Sequence, residues 1–94
     1  MDIEDVISSK DVVVLDLGAE SWCAPCRALR KHFDAAADAV DATLIRADID
    51  DSPELAVQYA VQGVPTLIAF KDGKQVGYVQ SRTAVALIKE INAL

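Results

Sequence analysis

The only two cysteines of the chain, Cys23 and Cys26, are separated by two residues. This spacing is typical of thiol–disulfide exchange, because one sulfur can attack a substrate disulfide and the other can then displace the substrate. A structural disulfide framework uses more cysteines, and a closed zinc site needs four ligands. The sequence contains no second CxxC and no HxxxH. We therefore expect no bound metal and no cofactor.

Pro25 predicts that the cysteines lie at the start of a helix. Proline is favoured in the first helical turn, and apolar residues follow it at helical spacing, which predicts a helix over 25–40. Unpaired N–H groups and the dipole at a helix start favour a thiolate, so they lower the pKa of a thiol there. We expect Cys23 to be the exposed nucleophile and Cys26, one turn later, to be the more buried resolving cysteine. Two inert core thiols are the alternative.

Asp16 is the third residue with a candidate chemical role. It interrupts an almost continuous apolar run over 12–17, where a carboxylate is costly unless it serves a purpose. We expect Asp16 to lie beneath Cys26 with a raised pKa, able to take the proton of the resolving thiol, directly or through water. The alternative is a solvated carboxylate at the end of a strand.

The elements that must position these residues alternate along the chain. Apolar periodicity predicts helices over 2–9, 25–40 and 52–60 and a last helix capped by Ser81 or Thr83. Strands are predicted over 12–17, 43–48, 65–70 and 75–79, with a hairpin turn at Asp72 and Gly73. Strand–helix–strand connections give parallel pairing, and the hairpin gives antiparallel pairing. We expect an α/β fold with a mixed sheet of about four strands, helices on both faces, and strand 43–48 at an open edge.

The composition agrees with one globular domain covering residues 1–94. About half of the residues are hydrophobic (52%) and a quarter are charged (26%). The net charge of −6 argues against a nucleic-acid partner, which needs a basic surface. The longest apolar runs are too short for a membrane span, and residues 1–5 lack the basic start of a secretory signal. We expect a cytoplasmic protein with no membrane partner.

Four short motifs resemble the thioredoxin family. Residues 22–26 read WCAPC, similar to the family's usual WCGPC, and residues 63–66 read GVPT, which the family also carries. Residues 70–73 read FKDG, and residues 48–50 read DID, and both are similar to family motifs. The motifs follow the family's order and spacing from about Val12 to the C-terminus. The resemblance implies a thioredoxin-like fold, here without the family's first strand.

The resemblance also implies a substrate-docking surface. In the family, the proline that corresponds to Pro65 is cis and lies against the dithiol. The backbone of the preceding residue, here Val64, pairs with the substrate as an added strand, which makes recognition tolerant of sequence. The implied substrate-binding residues are Trp22, Ala24, Pro25, Ile49, Gly63, Val64 and Pro65.

Several positions depart from the family pattern. Asp16 precedes Cys23 by seven positions instead of the usual six. The extra residue either forms a loop bulge, which keeps Asp16 in place, or shifts the strand register and points Asp16 elsewhere. Gly18 stands where the family commonly has Trp, and Arg46 stands where it has a buried Lys that partners the Asp. His32 is expected to be a solvated helix histidine.

The resemblance implies an enzyme that reduces protein disulfides through a Cys23–Cys26 dithiol–disulfide cycle and a mixed disulfide. Its expected partners are protein disulfides and a thioredoxin reductase that supplies electrons, and it is expected to be a monomer. One alternative is a glutaredoxin-like reductase that depends on glutathione. Another alternative is a non-catalytic interaction module that kept the fold.

Overall fold

The computed structural model describes residues 2–94, and the eight predicted elements occur there in the predicted order. The helices are α1 (Ile3–Ser9), α2 (Ala24–Ala37), α3 (Pro53–Gln58) and α4 (Ala84–Asn92). The strands are β1 (Val12–Gly18), β2 (Thr43–Asp48), β3 (Thr66–Lys71) and β4 (Lys74–Val79). None of the helices in this part of the chain combines the length and the apolar character of a membrane span.

The four strands form one mixed sheet in the order β2-β1-β3-β4. Strand β1 pairs parallel with β2 and antiparallel with β3, and β3 pairs antiparallel with β4. The tight turn between β3 and β4 uses positive φ at both Asp72 (53°) and Gly73 (83°), which matches the right-handed twist of a two-residue hairpin. The predicted fold class, including the position of strand 43–48 at an edge, is confirmed.

Helices cover both faces of the sheet, which explains why β1 is apolar along almost its whole length. On one face, Val13, Leu15 and Leu17 of β1 pack with residues of α1 and α3. On the other face, Val14 packs with residues of α2 and α4. Because side chains alternate along a strand, Asp16 lies on the same face as Val14, beneath α2. The fold thereby directs this carboxylate toward the helix that carries the cysteines.

The start of α4 is capped by a residue far away in the sequence. Thr83 occupies the N-cap position, but its side chain makes no capping hydrogen bond. Instead, the backbone N–H of Ala84 donates a hydrogen bond of 3.1 Å to Nδ1 of His32 on α2. His32 is half-buried. The prediction of a solvated histidine is therefore wrong, because the imidazole satisfies an N–H group that the helix itself leaves unpaired.

Candidate active site

Cys23 and Cys26 form a disulfide at the start of α2, with their Cα atoms 5.2 Å apart. Cys23 is the N-cap residue, and Pro25 lies in the first turn, where its missing N–H has no helical partner to lose. The backbone N–H of Cys26 points at Sγ of Cys23, at a distance of 3.2 Å. An N–H donor and the positive end of the helix dipole both stabilise negative charge on that sulfur.

The two cysteines are equally buried in the disulfide form, and each is 5% exposed. The prediction of an exposed Cys23 and a more buried Cys26 is therefore wrong for this state. Their neighbours differ, however. Sγ of Cys23 lies 3.8 Å from the carbonyl oxygen of Val64, in the loop that precedes β3. Cys26 faces the other way, toward Asp16 and Gly18.

Among residues 2–94, Asp16 is the one charged residue of the core, with 3% of its surface exposed. Burial raises the pKa of its carboxyl to about 6, and the positive charges of Arg46 and Arg82 limit that rise. Its Oδ1 atom has no hydrogen-bond partner among the described residues. A buried carboxyl with a free oxygen and a pKa near neutrality is suited to accept a proton.

The extra residue before the cysteines is absorbed by the loop between β1 and α2. The backbone N–H of Glu20 donates to Oδ2 of Asp48 at 3.0 Å, and its carbonyl accepts from Nη1 of Arg27 at 2.7 Å. Its carboxylate lies 3.7 Å from Nη1 of Arg30. Strand β1 keeps its pairing on both sides, so Asp16 remains directed at α2. Of the two alternatives that the sequence left open, the structure has the bulge.

The missing side chain at Gly18 leaves room beside Cys26. A Cβ atom at this position would lie 3.3 Å from Sγ of Cys26 and 3.9 Å from Oδ1 of Asp16. A cavity of about 420 Å³ opens here, which we call the Gly18 cavity. Its lining includes Asp16, Gly18, Cys26, Arg30 and Arg46. Sequence reasoning noted the glycine but missed the cavity.

Arg46 stands beside Asp16 in the sheet, but its guanidinium does not bind that carboxylate. The two residues are register partners across β1 and β2. Nη1 of Arg46 instead forms an ion pair of 3.1 Å with Oδ1 of Asp34 on α2. Arg46 therefore influences Asp16 only through the electric field of its charge. The ion pair that the family's Lys suggests at this position is not formed.

The predicted docking residues surround the side of the disulfide on which Val64 lies. Ala19, Cys23 and Cys26 form a small cluster against which Ile49 and Val64 pack. The peptide bond between Val64 and Pro65 is cis. Trp22 is 61% exposed, and Ala24, Pro25 and Gly63 are also exposed, whereas Ile49, Val64 and Pro65 are half-buried.

Asp50 fixes the side chain of Trp22 in the predicted docking surface. This role was not predicted from the sequence. The Oδ2 atom of Asp50 accepts hydrogen bonds from Nε1 of Trp22 at 3.0 Å and from Oγ of Ser21 at 3.1 Å. Both donors sit in the loop directly before Cys23. The DID motif at residues 48–50 was the available signal, because it lies at the carboxyl end of β2, and the carboxyl ends of the parallel strands β1 and β2 meet at the same edge of the sheet.

Cys23 and Cys26 have each other as partners. The arrangement is a disulfide pair beside a buried carboxyl group, that of Asp16. Among residues 2–94, no group of three or more His, Cys, Asp or Glu side chains is placed to hold a metal ion.

Comparison with known proteins supports this description. The thioredoxin family model matches residues 3–93. A thioredoxin of Chlamydia trachomatis is 48% identical over 66 residues, which span 69% of this chain and 64% of that protein's own length. A thioredoxin of Mycobacterium tuberculosis is 37% identical over 91 residues, spanning 94% of this chain and 78% of its own.

A solved structure gives the same result for the fold. A mutant thioredoxin from Halobacterium salinarum superimposes with a TM-score of 0.86 at 39% identity, covering 97% of this chain and 80% of the other. The sequence matches, the fold and the paired cysteines all support the same assignment. The chain belongs to the thioredoxin family and is a thiol–disulfide oxidoreductase.

Proposed function

We propose that the protein reduces disulfides in other proteins, with Cys23 as the nucleophile and Cys26 as the resolving cysteine. In the reduced form, the Cys23 thiolate attacks one sulfur of a substrate disulfide. A mixed disulfide forms, and the other substrate sulfur leaves as a thiolate. Cys26 then attacks Cys23, which releases the second substrate sulfur and forms the Cys23–Cys26 disulfide. The observation that carries this assignment is the N–H of Cys26 directed at Sγ of Cys23, 3.2 Å away.

We further propose that Asp16 takes the proton of Cys26 during resolution. A thiol is a poor nucleophile until it loses its proton, so the resolving step needs a base. Asp16 lies on the Cys26 side of the disulfide, and its pKa of about 6 leaves it ionised at neutral pH but basic enough to accept a proton. Its free Oδ1 atom gives the proton, or a bridging water, a place to bind.

The proposed docking surface consists of Trp22, Ala24, Pro25, Ile49, Gly63, Val64 and Pro65. The substrate strand pairs with the backbone at Val64, so main-chain hydrogen bonds hold it while its cystine approaches Cys23. The carbonyl oxygen of Val64 lies 3.8 Å from Sγ of Cys23, so a substrate strand bound at Val64 places its disulfide close to Cys23. The exposed ring of Trp22 adds apolar contact area.

A thioredoxin reductase is the proposed electron donor, and the reducing cytoplasm is the proposed setting, since a reductase needs reduced thiols to persist around it. Glutathione is the competing donor. Recycling kinetics separate the two: NADPH with thioredoxin reductase should restore the dithiol faster than glutathione with glutathione reductase in the first case, and more slowly in the second. A protein recycled by neither would fit the non-catalytic interaction module.

The test of the proposed function is insulin reduction with dithiothreitol as the electron source. The parent protein should accelerate precipitation of the insulin B chain, and Cys23→Ser should abolish the acceleration. Thr83→Ala serves as a matched control, because it also changes one small side chain but lies at the start of α4, where its side chain makes no capping bond. No acceleration by the parent protein would overturn the proposal.

A further inference from the structure

The two sulfurs of the disulfide face different parts of the protein surface. Sγ of Cys23 lies against the Val64 carbonyl on the docking surface. Cys26, by contrast, lines the Gly18 cavity. A side chain at Gly18 would begin only 3.3 Å from Sγ of Cys26, so its absence removes the group that would stand between the cavity and this sulfur. The cavity therefore offers a separate route to Cys26.

The dimensions and lining of the Gly18 cavity suit a small polar molecule. Its volume of about 420 Å³ lies within the range of roughly 300–1,000 Å³ that is usual for small-molecule sites. A cavity of this size does not admit a folded protein. Its charged lining carries both signs and consists of Asp16, Glu20, Arg30, Arg46, Asp48 and Asp51. The size of the cavity therefore limits its occupant to a small molecule.

We propose that the Gly18 cavity binds low-molecular-weight thiols and lets them reduce the disulfide by attack on Cys26. The sulfur of the small thiol bonds to Sγ of Cys26 while the bond between Cys26 and Cys23 breaks. The electron pair of that bond goes to Sγ of Cys23, and the proton of the small thiol goes to the Asp16 carboxylate.

A second molecule of the thiol completes the reduction. Its sulfur attacks the sulfur of the molecule bound to Cys26, which forms a small disulfide and releases Cys26. The Cys26 sulfur takes the proton held by Asp16, and the proton of the second thiol passes to solvent. The protein disulfide is reduced to a dithiol and two small thiols are oxidised to one disulfide.

Two features favour attack on Cys26. The first is the leaving group: attack here expels Cys23, whose sulfur receives the N–H of Cys26 at 3.2 Å, and a stabilised thiolate leaves faster. The second is the free Oδ1 of Asp16, a buried acceptor without a partner among the described residues that faces the same gap. The inference rests on the proposed role of Asp16 as a proton acceptor and adds a substrate class and a second entrance.

The first experiment measures access to Cys26 in the Cys23→Ser variant, in which Cys26 is the only cysteine. The folded Cys23→Ser variant is treated with iodoacetamide and, separately, with glutathione disulfide, and labelling of Cys26 is followed by mass spectrometry. Adding Gly18→Leu should slow both reactions about tenfold. Adding Ala39→Leu, which enlarges an exposed residue in the turn after α2, is the control and should change both rates less than about twofold.

The second experiment uses the oxidised protein with both cysteines. Reduction by glutathione is followed through the fluorescence of Trp22, the single tryptophan of the chain and the neighbour of Cys23. Gly18→Leu should again slow the reaction about tenfold, and Ala39→Leu should not. Circular dichroism establishes that each variant is folded. If the leucine prevents folding, Gly18→Ala takes its place, since its Cβ atom alone reaches Cys26, and a slowing of about threefold is expected.

Equal rates with and without the added side chain, or labelling of Cys26 only after unfolding in urea, would overturn this inference. Insulin reduction by the parent protein is measured in the same series. Its failure would overturn the proposed function, whereas a missing effect at Gly18 with active insulin reduction would overturn the side entrance alone.

Discussion

Replacing Asp16 by Asn is expected to stabilise the oxidised protein at neutral pH but not in acid. Asp16 is 3% exposed, its Oδ1 has no partner among the described residues, and Arg46 is paired with Asp34 instead. The ionised carboxylate is therefore poorly compensated in the folded state. Asparagine has nearly the same shape and carries no charge, so the substitution removes that cost without opening a cavity.

The magnitude follows from the pKa. Burial raises the pKa of Asp16 from 3.8 to about 6, so the folded chain holds its proton at pH values where the unfolded chain has lost it. Below pH 3.8 the Asp16 carboxyl is protonated in both the folded and the unfolded chain, so its ionisation does not change the free energy of unfolding. Between those two pKa values stability falls as the pH rises, and above about 6 the loss is complete. One pKa unit corresponds to about 1.4 kcal/mol, so the full loss is about 3 kcal/mol.

The assay is urea unfolding of the oxidised protein, followed by Trp22 fluorescence from about pH 3.5 to about pH 8. The free-energy difference between Asp16→Asn and the parent should grow across this range by about 3 kcal/mol. Asp38→Asn, which removes a carboxylate at an exposed position after α2, controls for the change in net charge. A difference for Asp16→Asn that does not vary with pH would refute the reasoning, because it would show that the carboxyl has the same pKa in both states.

Three further results are expected. Asp16→Asn should slow resolution of the mixed disulfide more than its formation in stopped-flow assays, and an unchanged resolution rate between about pH 6 and 9 would show that another group is the base. His32→Ala should lower the free energy of unfolding by about 1 kcal/mol in urea titrations, because α4 loses its capping bond, whereas Thr83→Ala should cost less than about 0.5 kcal/mol. Asp50→Ala should raise the KM for insulin about fivefold through loss of the Trp22 hydrogen bond, with kcat nearly unchanged; a fall in kcat alone would contradict a docking role.

Local chemistry accounts for most of what the sequence predicted correctly. The apolar run of β1 reflects burial on both faces, and Pro25 marks the first turn of α2 wherever that helix packs. The Asp72-Gly73 turn is likewise decided by the two residues themselves, because both take positive φ. Asp16 could be singled out because a carboxylate is costly to bury and therefore rare within an apolar strand.

The features that escaped prediction depend on contacts between distant segments. The cap on α4 comes from His32, which is 52 positions away in sequence from the N–H that it accepts. The Gly18 cavity is lined by residues of β1, α2 and β2 and by the loop that Glu20 anchors to Asp48. Neither property is visible in a local pattern, because each requires the relative placement of two or more elements.

The most direct test of the account is to identify the cysteine that bonds to the substrate. In the Cys26→Ser variant the mixed disulfide cannot be resolved, so incubation with insulin should accumulate a covalent complex through Cys23, located by peptide mass spectrometry without reduction. The Cys23→Ser variant should accumulate little of the corresponding complex. A complex formed equally well through either cysteine, or only through Cys26, would contradict the assignment of Cys23 as the nucleophile that meets protein substrates.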